Sequence, residues 1–125
     1  MLKKVLVVDD EEILSQLIME SLCMKGEYSV ETAFNGEDAF NKYKIFLPDI
    51  VVMDVEMPVM DGYESSSKIK SFDSEARILV LTGNPADSRA RRTIEEGIAL
   101  TVLQKPIKLT ELNRTITAYL PVCVS

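Results

Sequence analysis

Three runs of four apolar residues, Val5-Leu6-Val7-Val8, Ile50-Val51-Val52-Met53 and Ile78-Leu79-Val80-Leu81, constrain this chain more than any other feature. None alternates polar with apolar, so each reads as a strand buried on both faces of a parallel sheet. Between the runs the period changes. Ile13, Leu14, Leu17, Ile18 and Leu22 recur at helical spacing, with Gly26 as the stop. Asn35 suits the N-cap of a helix whose apolar side is Ala39, Phe40, Tyr43 and Phe46-Leu47, and Pro48-Asp49 breaks it. A polar helix follows from Tyr63 to about Ser71. Asn84-Pro85 opens another through Glu96, with Gly97 near its end. Leu109, Leu112, Ile116 and Tyr119-Leu120 define the last helix, and Tyr28–Thr32 and Leu100–Leu103 supply two further strands.

Five β-α units in succession predict an α/β domain: a doubly wound parallel sheet with helices on both faces and right-handed crossovers. The 125 residues suit one domain over 1–125, with a core from about 3 to 120 and no linker or internal repeat. In such sheets the working site lies at the carboxyl ends of the strands. Those ends carry Asp9-Asp10, Asp54, Thr82 and Lys105-Pro106. Each has a bland reading alone, as a helix start, a turn cap or ordinary surface. Together they put three carboxylates, a hydroxyl and an amine on one rim. Clustered carboxylates raise one another's pKa unless a cation is present, and a divalent metal relieves that cost. Mg²⁺ favours one or two carboxylates, several waters and a phosphate oxygen. Asp9 and Asp10 suit the metal, which leaves Asp54 free to attack phosphorus as a carboxylate nucleophile. Lys105 and Thr82 suit the charge on the transferred oxygens.

Composition narrows the chemistry further. The chain has no histidine, which removes a Ser-His or Cys-His nucleophile pair and a histidine-ligated zinc site. A net charge of −6 argues against a nucleic-acid footprint over the whole surface. Arg89, Arg91 and Arg92 are the one tight basic cluster and read as a solvated helix face. Cys23 and Cys123 form no disulfide framework or metal spacing, and Cys23 falls in an apolar pattern that predicts burial. No apolar run reaches the roughly 20 residues that span a bilayer, and the start is too short for a signal peptide. A cytoplasmic protein with no membrane or direct nucleic-acid partner is expected.

The stretches Val7-Val8-Asp9-Asp10-Glu11, Asp54-Val55-Glu56-Met57-Pro58-Val59-Met60-Asp61-Gly62, Leu81-Thr82-Gly83 and Lys105-Pro106 resemble the response-regulator receiver domain of two-component signalling. They occur in the family's order and spacing, and the likeness runs from about Lys3 to Leu120. It implies a flavodoxin-like (βα)5 sheet of order 2-1-3-4-5. It implies Asp54 as the phosphoacceptor, Mg²⁺ (with Mn²⁺ as a substitute) on Asp9, Asp10, Asp54 and the Glu56 backbone carbonyl, and Asp10 as the more direct ligand. Thr82 would turn towards the phosphoryl group, Lys105 would pair with it, and the Lys105-Pro106 bond would be cis. The donor would be a histidine kinase or histidine phosphotransfer protein. The protein target would meet the face of the fourth helix, fifth strand and fifth helix. Such a domain signals rather than turning over substrate.

Two positions depart from that pattern. Val102 stands where the family often has an aromatic residue, and Glu56 where a neutral one is common. Glu56 either strengthens the metal site or repels the incoming group, and with Asn84 it tunes the phosphoryl lifetime. An aspartyl-phosphate phosphatase is disfavoured, because Asp-x-Asp is missing after the first strand. A nucleotide- or flavin-binding domain is disfavoured too, since Asp9-Asp10-Glu11-Glu12 would repel phosphates. A pseudo-receiver that only binds is the third alternative. Met53, Met57 and Met60 read as packing, Gly62 as a turn residue and Gly83 as a point of close backbone approach.

Overall fold

The alternation of buried runs and amphipathic segments closes into one sheet in the computed structural model, which describes residues 2–24 and 26–120. Strands β1 (Lys3–Val8), β2 (Tyr28–Ala33), β3 (Ile50–Asp54), β4 (Ile78–Thr82) and β5 (Thr101–Gln104) run parallel in the order β2-β1-β3-β4-β5. Helices α1 (Glu12–Cys23), α2 (Gly36–Phe46), α3 (Gly62–Phe72), α4 (Ser88–Glu95) and α5 (Leu109–Tyr119) cover its two faces. This is the doubly wound parallel sheet that the β-α alternation predicts, in the flavodoxin-like strand order that the family resemblance implies.

The apolar runs have no polar member because both faces of the sheet are covered. Leu6, Val8, Val51, Met53, Ile78 and Val80 point to one side, where Ala39, Tyr43, Ile69 and Ala90 from α2, α3 and α4 meet them. Val5, Val7, Ile50, Val52, Leu79 and Leu81 point to the other, against Ile18, Leu22, Leu112 and Ile116 from α1 and α5. The period of two divides each run between two cores. Each large apolar side chain buried there is worth about 1.5–3 kcal/mol. Among the described residues no helix is long and apolar enough to cross a membrane.

Register sets the site. Val8 lies beside Met53 across β1 and β3, Asp54 beside Leu81 across β3 and β4, and Thr82 beside Gln104 across β4 and β5. Asp9, Asp54, Thr82 and Lys105 therefore end on one edge. Asp54 and Thr82 are themselves the last residues of their strands.

Four local expectations are corrected. In α1 the inward positions are Ser15, Ile18 and Leu22, while Ile13 is 78% exposed and Leu17 is exposed as well. Cys23 is exposed, because it lies one residue beyond the inward-facing Leu22. Cys123 lies outside the described residues. α4 starts at Ser88 and not at Asn84-Pro85, because the Asp87 side chain caps it by accepting from the Arg89 amide at 2.8 Å. Leu47 is exposed and ends α2 in the left-handed region at φ 49°. Asn35 does cap α2, accepting from the Asp38 amide at 2.8 Å.

Candidate functional site

β1 delivers Asp9 to the edge almost wholly buried, at 1% exposure. Its Oδ1 accepts the Glu11 amide at 2.8 Å, and its Oδ2 accepts Lys105 Nζ at 2.8 Å. Behind it the Ser15 hydroxyl donates to the Asp9 carbonyl at 3.2 Å, which pins the first turn of α1 to the strand end. β3 delivers Asp54, 3% exposed, with Oδ1 at 3.3 Å from Lys105 Nζ and 3.4 Å from the Glu56 amide. Asp10 stands exposed at the rim. Carboxylate oxygens of Asp9, Asp10 and Asp54 all lie within 4.8 Å of one another. The peptide bond between Lys105 and Pro106 is cis.

Electrostatics follow from that crowding. Burial pushes the Asp54 carboxyl up to about 7, and the charge of Asp9 adds to the rise. The Lys105 ammonium and the Glu56 amide pull the other way without cancelling it. For Lys105, burial opposes the charged form. The hydrogen bond to Asp9 and the charges of Asp54 and Asp9 outweigh it, so its pKa is raised. One cation thus bridges two buried carboxylates and leaves a third exposed beside them. The residues fit a divalent cation: three oxygen ligands in reach of one point, open to water on one side, with an excess of negative charge to neutralise.

Thr82 is fully buried. Its hydroxyl donates to the Asn84 carbonyl at 3.1 Å and accepts the Asn84 amide at 3.0 Å, so it is committed to its own loop. Glu56 is exposed, and its Oε1 lies 3.9 Å from where a Cβ on Gly83 would stand. Gly83 leaves the site edge open, whereas Gly62 has a different role from the turn expected of it. A Cβ on Gly62 would sit 2.2 Å from the Asp54 carbonyl oxygen, so only glycine lets α3 start directly against the acceptor strand. Just before it, Val59 takes φ 69°, a strained choice for a β-branched residue, and the Met60 amide reaches the Pro58 carbonyl at 2.7 Å. Met53 is buried in the sheet and Met57 packs against the same core, as packing residues do.

The structure therefore brings Asp9, Asp10, Asp54 and Lys105 together, sets Thr82 at the same edge with its hydroxyl turned to Asn84, and leaves the Glu56 side chain in solvent. Sequence reasoning missed Ser15 as a support for Asp9. Its signal was the spacing of Ser15, Ile18 and Leu22, three and then four residues apart.

Comparison with known proteins gives the same direction. The family model of the response regulator receiver domain matches residues 5–117. The chemotaxis protein CheY of Halobacterium salinarum is 36% identical over 121 residues, covering 94% of this chain and 100% of that protein. CheY of Bacillus subtilis is 34% identical over 120 residues, covering 93% and 99%. The crystal structure of the response regulator TrrA from Thermotoga maritima, in complex with Mg²⁺ and BeF, aligns with a TM-score of 0.80 at 32% identity, covering 94% of this chain and 98% of that one.

Proposed function

We propose a residue-level mechanism for this chain, which belongs to the response regulator receiver domain family and is a phosphoacceptor in two-component signalling. Asp54 takes the phosphoryl group. Asp9, Asp10, Asp54 and the Glu56 backbone carbonyl hold the divalent cation, Mg²⁺ or Mn²⁺ in its place, with Asp10 its most accessible carboxylate. The single observation that carries this reading is the buried Asp54, bridged to Asp9 by one lysine and crowded by a third carboxylate, Asp10.

The donor is a phosphohistidine of a histidine kinase or phosphotransfer protein. An Asp54 oxygen forms the new P–O bond as the donor's P–N bond breaks, and the departing imidazole keeps the electron pair and takes up a proton. A metal held there would supply positive charge against the transferred phosphoryl group and favour the ionised form of Asp54. Lys105 exchanges its contact with Asp54 for one with the new group while keeping Asp9 as its anchor. Thr82 gives up the Asn84 carbonyl and donates to a phosphoryl oxygen. That exchange moves the loop ahead of α4, and the α4-β5-α5 face presents the result to a protein target in the cytoplasm. The chain from 1 to 125 acts as a single receiver in this account, with its core from about 3 to 120.

Intact-mass analysis after incubation with acetyl phosphate tests the reading. The expected outcome is one phosphoryl adduct with Mg²⁺, none with EDTA and none on Asp54→Asn. An adduct of equal size with EDTA, or on Asp54→Asn, would reject it.

A further inference from the structure

α4 has the smallest hold on the core. Its buried side chains are Ala90 and Thr93, and Thr93 spends its hydroxyl on the Ala90 carbonyl at 2.6 Å. The other helices send larger groups inward: Ile18 and Leu22 from α1, Tyr43 from α2, Ile69 from α3, Leu112 and Ile116 from α5. What fastens α4 is a row of polar contacts, directed at the start of α3.

Arg89 makes the first. Its Nε and Nη2 donate to Asp87 at 3.1 and 2.9 Å, and its Nη1 lies 3.7 Å from Asp61. Those carboxylates are the N-caps of α4 and α3, Asp61 accepting the Glu64 amide at 2.9 Å. One guanidinium therefore joins the capped ends of two helices. A turn further on, Arg92 lies over the Tyr63 ring, 4.4 Å from its centre, and donates to Glu96 Oε2 at 3.0 Å. The other oxygen of Glu96 accepts the Tyr63 hydroxyl at 2.6 Å.

Both contacts lead to the site. Asp61 and Tyr63 flank Gly62, whose backbone touches the Asp54 carbonyl so closely that no Cβ fits. The Asp87 amide donates at 3.0 Å to the Asn84 carbonyl, the same oxygen that accepts the Thr82 hydroxyl.

We propose that Arg89 and the Tyr63–Arg92–Glu96 set form a clasp that holds α4 to the first turn of α3 while Thr82 faces Asn84, and that the receiver opens this clasp to move α4. The inference rests on Asp54 as the acceptor for its link to phosphorylation, but the holding of α4 stands apart from it. Release of the Asn84 carbonyl by Thr82 loosens the loop that Asp87 closes, and Arg89 carries that change to Asp61. Exposed ion pairs are individually weak, so the clasp biases two nearly balanced states rather than locking one.

Amide hydrogen exchange of unphosphorylated Arg89→Gln/Arg92→Gln and of Tyr63→Phe, peptide by peptide, tests the hold. Tyr63→Phe keeps the ring beneath Arg92 and removes only the hydroxyl. Exchange over residues 88–96 is expected to rise roughly tenfold in the double variant and about threefold in Tyr63→Phe, with residues 109–119 unchanged, as local opening free energies differ between elements. No rise, or an equal rise in both segments, overturns the clasp. The rate of adduct formation from acetyl phosphate with Mg²⁺ tests the link, and should rise about threefold in the double variant. A loosened α4 with an unchanged rate overturns the coupling. A parent protein that takes no adduct overturns the Asp54 reading and the coupling with it, while the exchange result still decides the hold.

Discussion

α4 and α5 both flank β5, and they are held there by different means. α5 drives Leu112 and Ile116 into the core shared with α1, each fully buried. α4 offers that depth only Ala90 and Thr93, and its longer side chains lie along the surface in pairs with Asp61, Asp87, Tyr63 and Glu96. Apolar burial is insensitive to small displacements of charge, whereas surface pairing shifts with salt, with neighbouring loops and with one added group. The helix that follows the Thr82 loop is thus the one whose movement disturbs the core least, and the helix opposite is the firmer reference.

The comparison breaks most visibly at its apolar end. Ile116→Ala should cost about 2–5 kcal/mol of stability by urea unfolding, since a fully buried side chain leaves a cavity. A loss below about 1 kcal/mol would mean that α5 is no firmer than α4.

The next effect belongs to the site between them. In metal-free protein the native Asp54 holds its proton up to about pH 7, while the unfolded chain releases it near 4. Over that window the native state binds more protons, so this group's contribution to stability falls as pH rises. Asp54→Asn should remove the slope and stabilise the protein at pH 8 in EDTA by about 1–3 kcal/mol, as relief of a buried, repelled charge. Urea midpoints from pH 4 to 8 measure it, and an unchanged slope in the variant would place the titration elsewhere. Because ligation needs the deprotonated carboxylate, Mg²⁺ affinity should strengthen as pH rises through about 7.

Ala90→Gly should cost only about 1 kcal/mol, chiefly through helix propensity, and its effect should be confined to α4 in amide exchange. Smallest of all, Ile13→Ala should change stability by less than about 0.5 kcal/mol, because that side chain is in solvent. A cost near that of Ile116→Ala would restore Ile13 to the core that its spacing first suggested.

That last case marks where sequence reading ends. The strand runs were legible because burial on both faces leaves no polar residue in them, and the strand-end carboxylates followed from topology. Helical spacing located α1 but not its rotation, since Ser15 can take an inward position once its hydroxyl has the Asp9 carbonyl. Asn84-Pro85 reads as a helix start, yet Asn84 is bound to Thr82 and the cap falls at Asp87. The pairing of Arg89 and Arg92 with residues 28 and 29 positions earlier in the chain has no periodic signature at all. The same holds for the raised Asp54 pKa, which arises only when β1 and β3 bring their ends together.

The central claim is that Asp54, among three carboxylates within 4.8 Å of one another, is the one that takes the phosphoryl group. Site mapping decides it: label the protein with acetyl phosphate and Mg²⁺, reduce the acyl phosphate with borohydride, and sequence the peptides by mass spectrometry. The account predicts conversion of Asp54 to the reduced alcohol with Asp9 and Asp10 intact. Conversion at Asp9 or Asp10, with Asp54 unmodified, would contradict it.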